Sequence, residues 1–167
     1  MEYRFEPLDE SHQEPVVKIF NSFVTSGFAA YPEQPLPVQF YGQLLQMAKG
    51  YPAVAAVSES GEVMGFGMLR RHHPFSVFDR CAEVSYFLSP KHTRKGLGGA
   101  MLRHFEEKAR EIGVDTILAS ISSRNEESIA FHKKHGFEEV GRFRKAGRKF
   151  SKDFDIVWMQ RWLSEGE

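Results

Sequence analysis

"HTRKGLGG" (residues 92–99) packs three glycines and two strong bases into one short stretch, and its reading decides the fold. The apolar run "VSYFL" (84–88) precedes it. "AMLRHFEEKAREIG" (100–113) follows, with Met101, Leu102, Phe105, Ala109 and Ile112 at helical spacing. The stretch is therefore a strand-to-helix junction. A helix start exposes unpaired N–H groups and the positive end of the helix dipole. Glycines let backbone close around an anion, so the amides of Arg94, Lys95, Gly96, Leu97, Gly98 and Gly99 can cradle a diphosphate. A tight turn with solvated bases accounts for the same letters, and the glycine pattern alone does not separate the two. The spacing excludes both the Walker order G-x-x-x-x-G-K-[ST] and the Rossmann fingerprint G-x-G-x-x-G.

Working outward, "YRFEPL" (3–8) alternates as an edge strand, and "SHQEPVVKIFNSFVTSG" (11–27) is a helix with Val16, Val17, Ile19, Phe20 and Phe23 on its apolar face. Residues 28–40 hold three of the eight prolines and form a kinked loop; "VQFYGQLLQMAKG" (38–50) is a second helix ending at Gly50. "PAVAAVSESGEVMGFGMLR" (52–70) reads as a hairpin around Ser58 to Gly61, "RHHPFSVFDR" (71–80) as a loop and "AEVSYFL" (82–88) as a strand. After the long helix, "VDTILASIS" (114–122) is a buried strand. Ser123 and Glu126 have capping-box spacing for a helix through about His135. "GFEEVGRF" (136–143) and "FDIVWMQRWL" (154–163) close the chain as strands. The order β-α-α-β-β-β-α-β-α-β-β predicts one α/β domain over residues 1–167, with a mixed, mostly antiparallel sheet flanked by helices.

Composition narrows the function. At 167 residues, 41% hydrophobic and 15 phenylalanines, the chain can build one sizeable core. Lys+Arg and Asp+Glu balance at 22 each, which argues against a nucleic-acid partner and suits a small anionic ligand bound locally. Cys81 is the single cysteine, so neither an intrachain disulfide nor a multi-cysteine metal site is available. The charged start "MEYRFEPLDE" has no apolar leader, and no run approaches the roughly 18–20 apolar residues that span a bilayer. The expectation is a cytoplasmic protein with no membrane partner and no metal.

Two spaced segments carry a family resemblance. Thr93-Arg94-Lys95-Gly96-Leu97-Gly98, after the strand ending in Leu88, resembles the Gln/Arg-x-x-Gly-x-Gly/Ala acetyl-CoA motif of the GNAT superfamily of N-acetyltransferases, with Thr93 in place of Gln or Arg. Downstream, "NEESIAFHKKHGFEEVG" (125–141) resembles the superfamily's N-x-x-S-x-x-x-Tyr/His-x-x-x-Gly-Phe segment, filled by Asn125, Ser128, His132, Gly136 and Phe137. "IFNSFV", the 31–37 loop, "AEVSYFLSP" and "FDIVWMQRWL" are similar to segments of the phosphinothricin acetyltransferase-like subgroup, so the likeness covers nearly the whole chain. It implies acetyl-CoA as co-substrate, held in a splayed strand pair: diphosphate on the 94–99 amides, pantetheine paired with the backbone of Tyr86, Phe87 and Leu88, and Asn125 near its reactive end. It also implies a homodimer, with Trp158 and Trp162 as candidate contacts.

Amide formation needs a neutral amine, and a lysine-type amine is mostly protonated near pH 7. Glu83, at the subgroup's acidic position, is the expected base. His132 stands where many members carry a tyrosine acid and is the expected proton donor to the leaving thiolate, with packing or a cofactor contact as the competing role. The acceptor pocket is expected from Phe28, Tyr31, Arg70, His73 and Phe75; Arg70, Arg71, His72 and His73 can either hold a carboxylate or form an exposed basic loop. Subgroup members acting on amino-acid-like substrates tend to carry Arg and Trp where this chain has His73 and His72. The implied activity is acetyl transfer from acetyl-CoA to the primary amine of a small, amino-acid-like molecule. A peptide or protein N-terminal acetyltransferase and a noncatalytic acyl-CoA sensor are the alternatives.

Overall fold

The structure, a computed structural model, describes residues 2–163; Met1 and residues 164–167, included in the expected domain, lie outside them. Among the described residues seven strands form one sheet in the order β1-β2-β3-β4-β5-β7-β6. They are β1 (Tyr3–Pro7), β2 (Ala53–Ser58), β3 (Val63–Arg71), β4 (Cys81–Leu88), β5 (Thr116–Ser122), β6 (Glu138–Lys149) and β7 (Lys152–Trp162). The helices are α1 (Gln13–Ser26), α2 (Phe40–Met47), α3 (Leu97–Glu111) and α4 (Glu126–Lys134). Every strand pair is antiparallel except β4 with β5, which the α3 crossover joins in parallel.

Alternation along the strands divides the core. On one face α3 packs Leu97, Met101, Leu102, Phe105 and Ala109 against Ala82, Val84, Ile117, Ala119 and Met159. On the other, α1 and α2 bury Val16, Val17, Phe20, Val24, Tyr41 and Leu44 against Phe66 and Met68 of β3. Each large side chain so buried contributes about 1.5–3 kcal/mol. Gly67 is what lets α3 lie so close: a Cβ there would sit 2.8 Å from Tyr86 Cβ and 2.9 Å from both Met101 Sδ and Phe105 Cε2.

Two differences from the boundaries read in the sequence bear on the site. The cap of α4 is Asn125, whose Oδ1 accepts from the Ser128 amide at 3.2 Å, and not Ser123. Ser123 Oγ instead accepts from the Asp155 amide at 2.8 Å, tying the loop to β7. The other difference is β6, which runs six residues past Phe143 to Lys149. Two register shifts against β7 carry it there, with a left-handed Lys145 (φ 50°) inside the second. The extension brings the β6–β7 turn across the molecule to the end of α1.

Candidate active site

The parallel ladder of β4 and β5 runs Cys81↔Thr116, Ala82↔Ile117, Glu83↔Leu118 and stops there. Beyond it β4 stays paired with β3 as far as Leu88, and β5 stays paired with β7 as far as Ser122. The two strands therefore diverge and leave their facing backbone groups free for an extended polar chain. Residues 84–88 and 119–122 line the resulting cavity of about 900 Å³.

At one end stands the start of α3. The Ala100 amide is bonded to the Gly96 carbonyl (3.1 Å), so the amides of Leu97, Gly98 and Gly99 point out of the helix end. Gly96 (φ 85°) and Arg94 (φ 61°) take left-handed backbone to form the turn. Thr93, Arg94, Gly96, Gly98 and Gly99 line the cavity; Leu97 offers only its amide, its side chain lying in the core, and Lys95 is exposed outside. A Cβ on Gly98 would come within 3.3 Å of Phe131, and one on Gly99 within 3.0 Å of His135. A close backbone cradle at a helix dipole followed by two splayed strand edges fits a diphosphate with an amide-bearing arm. Asn125, capping α4 with one side of its amide, lines the opposite wall.

His132 is buried on α4. Its Nδ1 lies 2.7 Å from the Ser128 carbonyl, which can only accept, so the proton sits on Nδ1. Nε2 is then the acceptor for the Tyr86 hydroxyl at 2.6 Å. Burial pulls the imidazole pKa down to about 4, the Ser128 carbonyl opposing and His135 adding to the shift. Burial also pushes the Tyr86 phenol up, away from ionisation. A neutral ring whose Nδ1 proton is held by the Ser128 carbonyl and whose Nε2 accepts has no free proton for a thiolate, so the acid role expected from the sequence finds no support in this geometry.

Glu83 lies where the ladder ends, its side chain 13% exposed. Arg70 Nη2 donates to Oε1 at 3.1 Å, and His72 Nδ1 lies 3.0 Å from Oε2. Arg70 faces it directly across β3–β4 and lines the cavity. Two further donors share this sheet face, since Ser120 of β5 pairs with Trp158 of β7. Arg70 Nε and Trp158 Nε1 are buried and without a hydrogen-bond partner among the described residues. Tyr31 also lines this end, stacked on Phe154 at 5.7 Å and 13°. Cys81, two residues before Glu83, has its thiol pushed up to about 11 by burial, with Glu83 and Asp115 adding to the shift; it is protonated near neutral pH.

The remaining expected pocket residues fall elsewhere. Phe28 turns away from the cavity, against Phe150 (6.2 Å) and Phe154 (5.8 Å). His73 and Phe75 sit on the outer loop: His73 Nδ1 accepts from the Phe75 amide (3.2 Å), and Phe75 is exposed. The reason is register. β3 extends to Arg71, so Arg70 and His72, two residues apart, reach Glu83 while His73 does not. Ser85, Ser120 and Ser122 complete the wall, and nothing but strand alternation marked them in the sequence.

Comparison with known proteins gives the family. The model of the Acetyltransferase (GNAT) family matches residues 16–137. The L-methionine sulfoximine/L-methionine sulfone acetyltransferase of Pseudomonas aeruginosa is 31% identical over 147 residues, covering 87% of this chain and 86% of that protein. The crystal structure of a GNAT superfamily phosphinothricin acetyltransferase from Sinorhizobium meliloti in complex with AcCoA superposes with a TM-score of 0.90 at 28% identity, over 99% of this chain and 91% of that one. A ribosomal-protein-alanine N-acetyltransferase from Brucella melitensis superposes with a TM-score of 0.88 at 29% identity, over 96% and 99%. With its splayed β4–β5 pair and the glycine cradle at α3, this chain belongs to the GNAT family of acetyltransferases.

Proposed function

We propose that the protein, as a single domain, transfers the acetyl group of acetyl-CoA directly to the primary amine of an amino-acid-like small molecule. The observation that carries this reading is the continuous cavity from the α3 amides to Arg70, the cation that also holds Glu83. The cofactor's diphosphate lies on the 94–99 amides, with Arg94 and Lys95 adding charge. Its arm pairs with the backbone of 86–88 and meets Asn125. Arg70 receives the acceptor's carboxylate, and Tyr31 closes the pocket over it. Glu83 takes the ammonium proton through a water. The freed nitrogen lone pair then attacks the thioester carbonyl, the nitrogen releases its second proton to solvent, the C–S bond breaks, and solvent protonates the thiolate. His132 positions Tyr86 and with it β4. The names of the methionine sulfoximine and phosphinothricin relatives support the acceptor class.

Glu83→Gln tests the base. Thiol release with L-methionine sulfoximine should fall about 10²–10⁴-fold, with acetyl-CoA affinity unchanged. Turnover surviving the change would refute the assignment. Strong turnover of polyamines or short peptides, with none of amino-acid-like compounds, would refute the acceptor class.

The protein is further proposed to act as a homodimer in the cytoplasm, where acetyl-CoA is supplied. Phe143 of β6 and Trp162 of β7 remain 58% and 51% exposed on one sheet face, an apolar surface suited to a second copy. A monomer by sedimentation equilibrium would refute the dimer.

A further inference from the structure

Lys149, the last residue of β6, is 1% exposed, the one buried lysine among the described residues. Its ammonium has crossed to the end of α1. There Nζ donates to the carbonyls of Val24 (2.8 Å), Gly27 (2.6 Å) and Ala30 (2.6 Å). Three N–H donors meet three carbonyls, so the cation is saturated without a carboxylate at hydrogen-bond distance. A helix end is where carbonyls lack intrahelical partners and where the dipole favours a cation, and α1 ends at Ser26. Burial lowers the ammonium's pKa while the Glu33 carboxylate opposes that shift. Glu33 itself accepts from the Phe150 amide at 3.3 Å, a second tie between the β6–β7 turn and this segment.

The segment so held is the acceptor wall. Ala29, Ala30, Tyr31 and Pro32 line the cavity on its inner side. Its outer side rests on the β6–β7 hairpin, through Phe28 against Phe150 and Phe154 and through Tyr31 stacked on Phe154. No side-chain atom of Lys149 belongs to the cavity lining.

We infer that Lys149 is a positioning residue for the acceptor: by clasping residues 24–30 it fixes Tyr31 opposite Arg70 and sets acceptor affinity without touching the acceptor. The inference rests on the reading of this cavity end as the acceptor site.

The test uses the full-length chain with Lys149→Met, which keeps the length and removes the donors, and Lys149→Arg, whose planar fork cannot meet three converging carbonyls. Two readouts are taken. Steady-state thiol release gives KM and kcat for L-methionine sulfoximine and KM for acetyl-CoA. Amide hydrogen exchange is followed over residues 24–33 and over α3. Lys149→Met should raise the acceptor KM about tenfold or more, leave the acetyl-CoA KM within about twofold, and speed exchange over 24–33 but not over α3; Lys149→Arg should not restore the wild-type values. An unchanged acceptor KM, equal shifts in both KM values, or unchanged exchange at 24–33 would each overturn the inference. If Lys149→Met does not fold, Lys149→Gln, which retains two donors, carries the same readouts. If the wild-type protein acetylates no amino-acid-like compound, the proposed acceptor class has failed. The same pair of readouts on whichever amine is turned over then decides the role of Lys149.

Discussion

Replacing His132 by glutamine separates a neutral strut from a proton donor. Glutamine keeps one acceptor for the Tyr86 hydroxyl and donors for the Ser128 carbonyl, but it does not titrate. The native imidazole is held down at about 4 against an ordinary value of 6.5. The unfolded chain therefore binds a proton that the folded one refuses between those values. Stability from the neutral ring is present in full above pH 6.5 and is lost as pH falls through that window toward 4. A gap of this size corresponds to roughly 3 kcal/mol between pH 7 and pH 4. Urea unfolding at closely spaced pH values, with equal m-values as the check on two-state behaviour, reads it directly. The wild type should lose stability more steeply than His132→Gln by close to one proton over the window, other titrations cancelling in the difference. Kinetics supply the second arm. At pH 7 about one ring in a thousand is protonated, so kcat should change no more than about threefold in the variant at temperatures where both are folded. Parallel stability curves, or a fall in the wild-type kcat as pH rises through about 6.5 that is absent from the variant, would refute the assignment.

Gly98→Val should weaken acetyl-CoA binding by calorimetry about tenfold or more, since a Cβ already meets Phe131 at 3.3 Å and Leu88 at 3.6 Å and a branch fills the cradle; affinity within twofold of wild type would place the cofactor elsewhere. Gly67→Ala should lower stability by about 1–3 kcal/mol, read as a drop in Tm, because three atoms stand within 3.0 Å of the added carbon; an unchanged Tm would show that α3 can shift at no cost. Cys81→Ser should keep kcat within about twofold and the wild type should resist iodoacetamide at pH 7.5, the thiol being held near 11. Rapid inactivation by alkylation of Cys81 would show a reactive thiolate and refute this reading.

The turn and helix starts that the proposal gives to the cofactor were legible because their signals are local. Residues 92–99 turn one corner, and the glycines there answer to a helix end a few residues away. Asn125 and His132 lie on one helix at a fixed spacing. Where two local signals compete, however, spacing does not choose: Ser123 and Asn125 are both residue types that cap helices and both precede α4, and the Asp155 amide of β7 engages Ser123. The His72/His73 ambiguity is of the same kind, a one-residue register that only the length of β3 resolves.

The acceptor half follows a different physics. Residues 144–149 show no clean alternation, and Lys145 breaks the extended backbone, so pairing beyond Phe143 rests on contacts supplied by β7. Gly147 is required there because a side chain would run into the Phe154 ring, the same ring on which Tyr31 stacks. Lys149 reaches carbonyls more than a hundred residues earlier in the chain, a placement that no window of sequence contains. The motifs at 92–99 and 125–137 thus constrain the acetyl donor and leave the acceptor unconstrained. Changes confined to 147–154 should alter which amine is used while the cradle at α3 still binds acetyl-CoA. On the proposed assignment of the cavity's two ends, acceptor choice lies in the contact between the β6–β7 turn and the end of α1, and a search for the substrate should vary those residues before the glycines.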